Sequence, residues 1–285
     1  MILITGATGN NGVEIVKELS AQRKSVRAMV RNEPEQKDGS AAGVEYAIAD
    51  FDDADSLRKA LAGVDRAFLV TPSSEKVEEQ QLQFVDLARE AGVKHIVYLS
   101  QLHARQDSPV RFLRYHAAVE AALAQSGMAF TNLRPNLYMQ GLLLFKQLIA
   151  SQGKITAPVG ESPVSVVDVR DIAAVAVAAL TETGHEGKSY DITGPEALTH
   201  AQMAEELAQT IGKPVTFENI SGAAMREALL GFHMPGWQAD GLVEDYEHYS
   251  RGEATTLSTA VQDVTGLKPR TFQTFAQDFR QAFLA

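Results

Sequence analysis

Cysteine is absent from this chain of 285 residues, which excludes disulfides, thiolate nucleophiles and every zinc site built on sulfur. Positive charge is scarce: 26 Lys and Arg stand against 36 Asp and Glu, a formal net charge of −10. Nucleic-acid surfaces need clustered Lys and Arg, and no such cluster interrupts the acidic balance. Long apolar runs are also missing. The stretches 137–150 and 172–180 are too short or too interrupted to span a bilayer. The seven histidines form no i,i+4 pair on one predicted helix, which argues against a metal centre. Tryptophan occurs once, at Trp237. No Pro/Ser/Gly-rich linker, low-complexity tract or internal repeat divides the chain, and its first residues already read as a strand, leaving no room for a signal peptide. A cytoplasmic enzyme or binding protein is the expectation, with no membrane and no nucleic-acid partner.

What is present begins at the N-terminus. Ile4-Thr5-Gly6-Ala7-Thr8-Gly9-Asn10-Asn11-Gly12 places a glycine at every third position directly after a short apolar run. A strand, a tight turn and a helix in that order make a pyrophosphate site: the first N–H groups of the helix lack intrahelical partners, and the helix dipole favours an anion. Glycines allow the turn, admit the phosphates closely and let the helix pack on the strand. The whole run, Gly6, Ala7, Thr8, Gly9, Asn10, Asn11 and Gly12, is therefore a candidate cofactor-binding segment.

Behind it, strands are predicted at 1–5, 26–30, 44–48, 67–70, 95–100 and 130–134, alternating with amphipathic helices at 13–21, 54–61, 77–91 and 110–125. Gly63, Gly92 and Gly127 close the last three helices. The alternation implies an α/β fold of Rossmann type, a doubly wound parallel sheet covered on both faces. After Arg134 the rhythm changes. Strand candidates at 164–167, 189–192 and 215–218 mix with helices at 169–180, 200–211, 222–230 and 240–251, read as a smaller α/β lobe. The expected division is a nucleotide-binding domain at 1–135 and a substrate lobe at 136–285, with 166–195 returning to the first sheet.

In such a sheet the end of the second strand meets the adenosine ribose, where a carboxylate favours NAD. Here that position carries Arg31-Asn32. A guanidinium fork matches a phosphate, so NADP(H) is the expected cofactor, with Glu33 and Glu35 as competitors for the arginine. Asp50-Phe51 after the third strand can flank the adenine, although Asp50 can equally cap the helix near Ala54. Thr71-Pro72-Ser73 after the fourth can line the ribose or pyrophosphate.

The glycine run, Arg31, Ala49-Asp50, the segment Ala88 to Ser100, Leu133-Arg134-Pro135-Asn136-Leu137-Tyr138, Val166 to Ala173 and Tyr190-Asp191-Ile192-Thr193-Gly194-Pro195 together resemble the NmrA-like branch of the atypical short-chain dehydrogenase/reductases. The resemblance covers essentially the whole chain. It implies an NAD(P)H-dependent oxidoreductase; members include NADPH-dependent quinone reductases, triphenylmethane-dye reductases and a redox-sensing co-regulator. Ordinary members of the superfamily use a Tyr-x-x-x-Lys helix. The corresponding helix here reads Arg114-Tyr115-His116-Ala117-Ala118-Val119-Glu120; if Tyr115 takes the place of the catalytic acid, its lysine position is Val119, which cannot lower a phenol pKa.

His116 and Glu120 instead share a helix face. His116, at its ordinary pKa of about 6.5, is expected to donate a proton or hydrogen bond, with Glu120 orienting it or reaching a ribose hydroxyl. The alternative is a surface pair without catalytic role. Ser100 occupies the place of the family's active-site serine, and can either bond a substrate carbonyl or satisfy a loop amide. Asn136 is expected at the nicotinamide carboxamide, and Tyr138 at the substrate wall or stacked on the substrate's ring. Trp237, in a loop between helices, is either a cover for an aromatic substrate or a packing anchor. Asp168-Val169-Arg170-Asp171 reads as a helix-start cap. The expected function is an NADPH-dependent reductase of a small electron-poor aromatic or quinonoid acceptor. A non-catalytic NADP(H) sensor and a sugar-nucleotide epimerase are the alternatives, and a homodimer stays open.

Overall fold

The computed structural model describes residues 1–32 and 43–285; Glu33 and Glu35, the expected competitors for Arg31, lie outside the described residues. The chain divides into two compact units. The first comprises residues 1–108, 113–134 and 172–190, and the second residues 109–112, 135–171 and 191–285.

In chain order the elements that build the first unit are β1 (Ile2–Ile4), α1 (Asn10–Ala21), β2 (Val26–Val30), β3 (Val44–Ile48), α2 (Ala54–Leu61), β4 (Arg66–Leu69), α3 (Val77–Glu90), β5 (His95–Leu99), α4 (Arg111–Gln125) and β6 (Ala129–Pro135). They form a seven-stranded sheet in the order β10-β6-β5-β4-β1-β2-β3, where β10 is Lys188–Ile192. Every pair from β3 across to β6 is parallel. Parallel strands covered by helices on both faces are apolar throughout, and all five residues of β5 are buried. Leu57, Leu61, Phe84, Ile96 and Tyr98 fill one core of this unit. Because β1 sits between β2 and β4, the strand order reverses there. The crossovers to either side leave a crevice at the carboxyl ends of these strands.

The second unit follows with β7 (Leu137–Tyr138), a 3-10 helix (Met139–Phe145), α5 (Lys146–Gln152), β8 (Lys154–Ala157) and β9 (Val164–Val167). After α6 (Val169–Thr181) and β10 come β11 (Ala197–Leu198), α7 (His200–Ile211), β12 (Thr216–Asn219), α8 (Gly222–Gly231), α9 (Gly236–Ser250), α10 (Ala260–Thr265) and α11 (Phe272–Asp278). Its strands form two small sheets, β11-β9-β7 and β12-β8, over a core that includes Met139, Leu207, Phe272, Phe275 and Phe283. A capping box between Thr199 and Gln202 starts α7. Asp168 accepts the Arg170 amide at the start of α6, the capping role expected of it.

Trp237 differs from expectation. It lies in the first turn of α9, not in a loop, because Pro235 sits at the N-cap and presets the helix start. Its ring packs on Phe112 at 5.4 Å and under the Arg111 guanidinium at 5.5 Å. This is the packing alternative.

Candidate functional site

The turn after β1 is built by backbone approach. Thr5, fully buried, donates its hydroxyl to the carbonyls of Phe68 and Val70 and accepts the Val70 amide, which ties the end of β1 to β4. Gly6 then takes a left-handed φ of +58°, and a Cβ there would meet Val70 Cγ1 at 2.6 Å. A Cβ on Gly12 would stand 2.1 Å from the Gly6 carbonyl oxygen. Only glycine fits at either place. Helix α1 starts from Gly9 with no side-chain cap among the described residues, so its first N–H groups face the turn as an anion site.

That turn is one wall of a cavity of about 700 Å³ within the first unit. Around it stand Gly6, Thr8, Gly9, Asn10, Asn11 and Gly12 from the turn, Arg31 at the end of β2, Asp50 and Phe51 after β3, and Thr71 and Pro72 after β4. These residues come from separate strand ends, and the structure brings them together. Asp50 is not the cap of α2: Asp53 accepts the amides of Asp55 and Ser56 there, while Asp50 accepts the Asp52 amide within its own turn.

Three expected cofactor contacts do not line this cavity. Ala7 is buried behind the turn, Ser74 rather than Ser73 reaches the wall, and Asn136 is engaged elsewhere. The Asn136 amide donates to Ser165 Oγ at 2.7 Å and to the Ala254 carbonyl at 3.0 Å, a cross-link inside the second unit. The sequence reading missed Lys76, which lines the cavity and pairs with Asp52 at 3.4 Å. A lysine three residues beyond the Thr71-Pro72-Ser73 strand end was the available signal.

The helix α4 residues pair differently from expectation. Glu120 does not orient His116. Its carboxylate takes the Arg134 fork, with Nε at 2.9 Å and Nη2 at 2.5 Å, and accepts the Ser100 hydroxyl at 2.5 Å. Shared helix face supplies proximity, but a bidentate guanidinium on the adjacent strand β6 binds a carboxylate more strongly than a neutral imidazole does. Ser100 is thereby a donor to Glu120, 3% exposed.

His116 is also buried, and burial pushes its pKa down to about 3 rather than leaving it near 6.5. It is neutral at physiological pH and holds no ionic proton to give. Its Nδ1 is 2.6 Å from the Tyr98 hydroxyl, and the Tyr115 ring lies against it with centroids 4.1 Å apart. Tyr98, fully buried, donates at 2.8 Å to Gln81 Oε1, and Gln81 Nε2 donates at 2.8 Å to Thr71 Oγ1 on the cavity wall. Burial raises the Tyr98 phenol well above its ordinary range, so it stays protonated.

Tyr138 belongs to the second unit and lines a separate apolar cavity of about 100 Å³ there. Met139, Leu142, Met203, Leu229 and Tyr246 contribute apolar wall, and His200 is its imidazole. The His200 Nδ1 is buried without a hydrogen-bond partner among the described residues, and burial lowers its pKa to about 4. No group of metal-ligating side chains, and no helix long and apolar enough to cross a membrane, occurs among the described residues.

The chain is 38% identical over 283 residues to the NAD(P)H azoreductase of Xenophilus azovorans, covering 99% of both chains. It is 36% identical over 284 residues to the (4-alkanoyl-5-oxo-2,5-dihydrofuran-3-yl)methyl phosphate reductase of Streptomyces griseus, again covering 99% of each. The structure of the NADPH-dependent quinone oxidoreductase QOR2 of Escherichia coli, complexed with NADPH, superposes with a TM-score of 0.88 at 31% identity, over 98% of this chain and 99% of that one. The model of the NmrA-like family matches residues 1–276, and the chain belongs to the NmrA-like family.

Proposed function

We propose that this protein is an NADPH-dependent reductase that delivers hydride to a small, electron-poor, conjugated acceptor of the quinone or azo class. The observation that carries the reading is the 700 Å³ cavity at the strand-order reversal, with the uncapped α1 N-terminus and Arg31 on its wall. The glycine turn fits a pyrophosphate, since a Cβ at Gly6 or Gly12 would collide with Val70 or with the Gly6 carbonyl and displace the backbone that forms it. The Arg31 fork fits the adenosine 2′-phosphate. When bound there, NADPH supplies the hydride.

The chain's own residues fit an acceptor that needs no strong acid. Neutral His116, ion-paired Glu120 and a Ser100 hydroxyl committed to Glu120 leave none of these groups poised to protonate a ketone. A quinone takes hydride directly because its ring stabilises the resulting charge, and the one proton that completes the hydroquinone comes from solvent. The named substrates of the relatives support this class: an azo compound, a quinone and an acyl-substituted unsaturated lactone are all electron-poor π systems. In the second unit the apolar cavity, with Tyr138 on its wall, has a lining that suits an aromatic acceptor. A cytoplasmic location suits the cofactor supply.

The test is steady-state NADPH consumption by purified protein with menadione, methyl red and a panel of aldehydes. Turnover with menadione or methyl red, and little with aldehydes, is expected. Tight NADPH binding with no turnover on any acceptor overturns the reading in favour of a sensor.

A further inference from the structure

The buried chain Thr71–Gln81–Tyr98–His116 joins the wall of the cofactor cavity to the imidazole of α4 through three hydrogen bonds of 2.8, 2.8 and 2.6 Å. Gln81 is 2% exposed, Tyr98 0% and His116 7%. Solvent therefore does not supply alternative partners along the middle of the chain, and its protons must be arranged among its own members.

A hydroxyl has one proton, a neutral imidazole one N–H, and a side-chain amide one oxygen face and one nitrogen face. These counts allow two orders. In the first, His116 Nδ1–H donates to the Tyr98 oxygen, Tyr98 donates to the Gln81 carbonyl, and the Gln81 amide donates to Thr71. In the second, half a turn of the Gln81 amide reverses every bond: Thr71 donates to Gln81, Gln81 to Tyr98, and Tyr98 to His116 Nδ1. The imidazole proton then sits on Nε2. Both orders satisfy all three contacts, so the difference between them is decided at the ends.

The Thr71 end lies on the cavity wall. In the first order its hydroxyl accepts from Gln81, and its own proton goes to no protein group among the described residues. A cofactor oxygen that accepts from Thr71 therefore stabilises the first order and excludes the second, where that proton is already used.

We propose that Tyr98 and Gln81 are positioning residues through which the occupant of the cofactor cavity sets the tautomer of His116: with an oxygen acceptor at Thr71, His116 is the Nδ1–H form and presents a bare Nε2 lone pair. This rests on the reading that NADP(H) occupies the cavity. Its consequence for that reading is specific. The loaded enzyme holds His116 as an acceptor at Nε2, so this residue does not protonate the reduced product.

The experiment follows the two ring nitrogens of His116 by NMR, in full-length protein with isotope-labelled histidine, during titration with NADP⁺ at neutral pH. Amide shifts of Gly9 and Gly12 report binding independently. The expected result is that the Nδ1 and Nε2 signals move in opposite directions as the Nδ1–H form gains population. Thr71→Val, which keeps the shape and removes the hydroxyl, is expected to bind NADP⁺ within about tenfold of the parent and to lose this response. Tyr98→Phe is expected to lose it as well. Saturation with no movement of the His116 nitrogens overturns the proposal, as do movement of both signals in one direction and an unchanged response in Thr71→Val. Absence of NADP⁺ binding overturns this proposal and the cofactor reading together.

Discussion

The cavity of about 700 Å³ in the first unit and the cavity of about 100 Å³ in the second are built from different material. The first is shaped by main chain: a glycine turn, an uncapped helix start and successive strand ends, with Arg31 and Lys76 as its positive groups. The second is shaped by side chains of Leu, Met and Tyr from β7, the 3-10 helix, α7, α8 and α9. The buried histidine linked to the first cavity's wall through Tyr98 and Gln81 also differs from the one that lines the second. His116 finds a partner in Tyr98, while His200 Nδ1 has none among the described residues. Backbone donors suit a ligand rich in phosphate, whose charge they match at fixed positions. An apolar wall of flexible side chains suits a ring with few polar groups, and Met in particular tolerates ligands of varied outline. The division predicts strict selectivity for the cofactor and broad tolerance for the acceptor.

Substitutions can break that comparison. The largest effect is expected from Gly12→Ala. Its Cβ would collide with the Gly6 carbonyl oxygen at 2.1 Å and displace the turn. Loss of two charge-assisted backbone contacts to phosphate corresponds to roughly 3–6 kcal/mol, so NADPH affinity is expected to fall at least about 100-fold, measured by fluorescence titration. Arg31→Glu comes next. It is expected to weaken NADPH by about 10- to 100-fold and leave NADH within about twofold; equal losses for both cofactors would remove Arg31 from the phosphate.

Met203→Trp tests the other cavity. Overfilling an apolar site costs about 1–3 kcal/mol, so KM for menadione is expected to rise about tenfold while NADPH affinity holds. A matching loss of NADPH affinity would erase the distinction between the cavities. Glu120→Gln removes the charge that holds Arg134 and is expected to lower stability by about 1–2 kcal/mol, discounted for the 30% exposure of the Arg134 side chain, as read from denaturant melts. It is also expected to leave the NADPH/NADH preference unchanged.

Stability is also expected to depend on pH through three buried histidines. The folded pKa values of His116, about 3, and of His200 and His95, about 4, lie below the ordinary value of about 6.5. Between these limits the unfolded chain binds more protons than the folded one, so stability rises with pH. Their contribution is complete above pH of about 6.5 and is lost as the pH falls toward about 4 and then 3. Thermal melts across that window are expected to show the decline, and no His116 titration is expected in kcat between about pH 6 and 8.

These two cavities also divide what a reader of the sequence can find. The turn at Gly6, Gly9 and Gly12 is contiguous, and its chemistry follows from local conformation; so does the strand-to-helix rhythm that places Arg31, Asp50 and Thr71 at strand ends. The pairing of Glu120 was hidden because its partner Arg134 lies on another element, 14 residues on. A charged residue inside the strand prediction 130–134 was a signal that some carboxylate must meet it. Tyr98, read only as a core strand residue, and Gln81, one polar position in an amphipathic helix, become a hydrogen-bond chain only when β5, α3 and α4 are packed together. The apolar cavity gathers residues from 137 to 246, and no local pattern marks such a set.

The most direct test of the central claim is a single turnover. Protein carrying one equivalent of NADPH deuterated at the transferable position is mixed with excess menadione, and the cofactor is followed in time. The account predicts complete oxidation of the bound NADPH, one equivalent of menadiol, and a slower rate with the deuterated cofactor when hydride transfer is the limiting step of that turnover. Bound NADPH that persists unoxidised in the presence of menadione and of methyl red would contradict it.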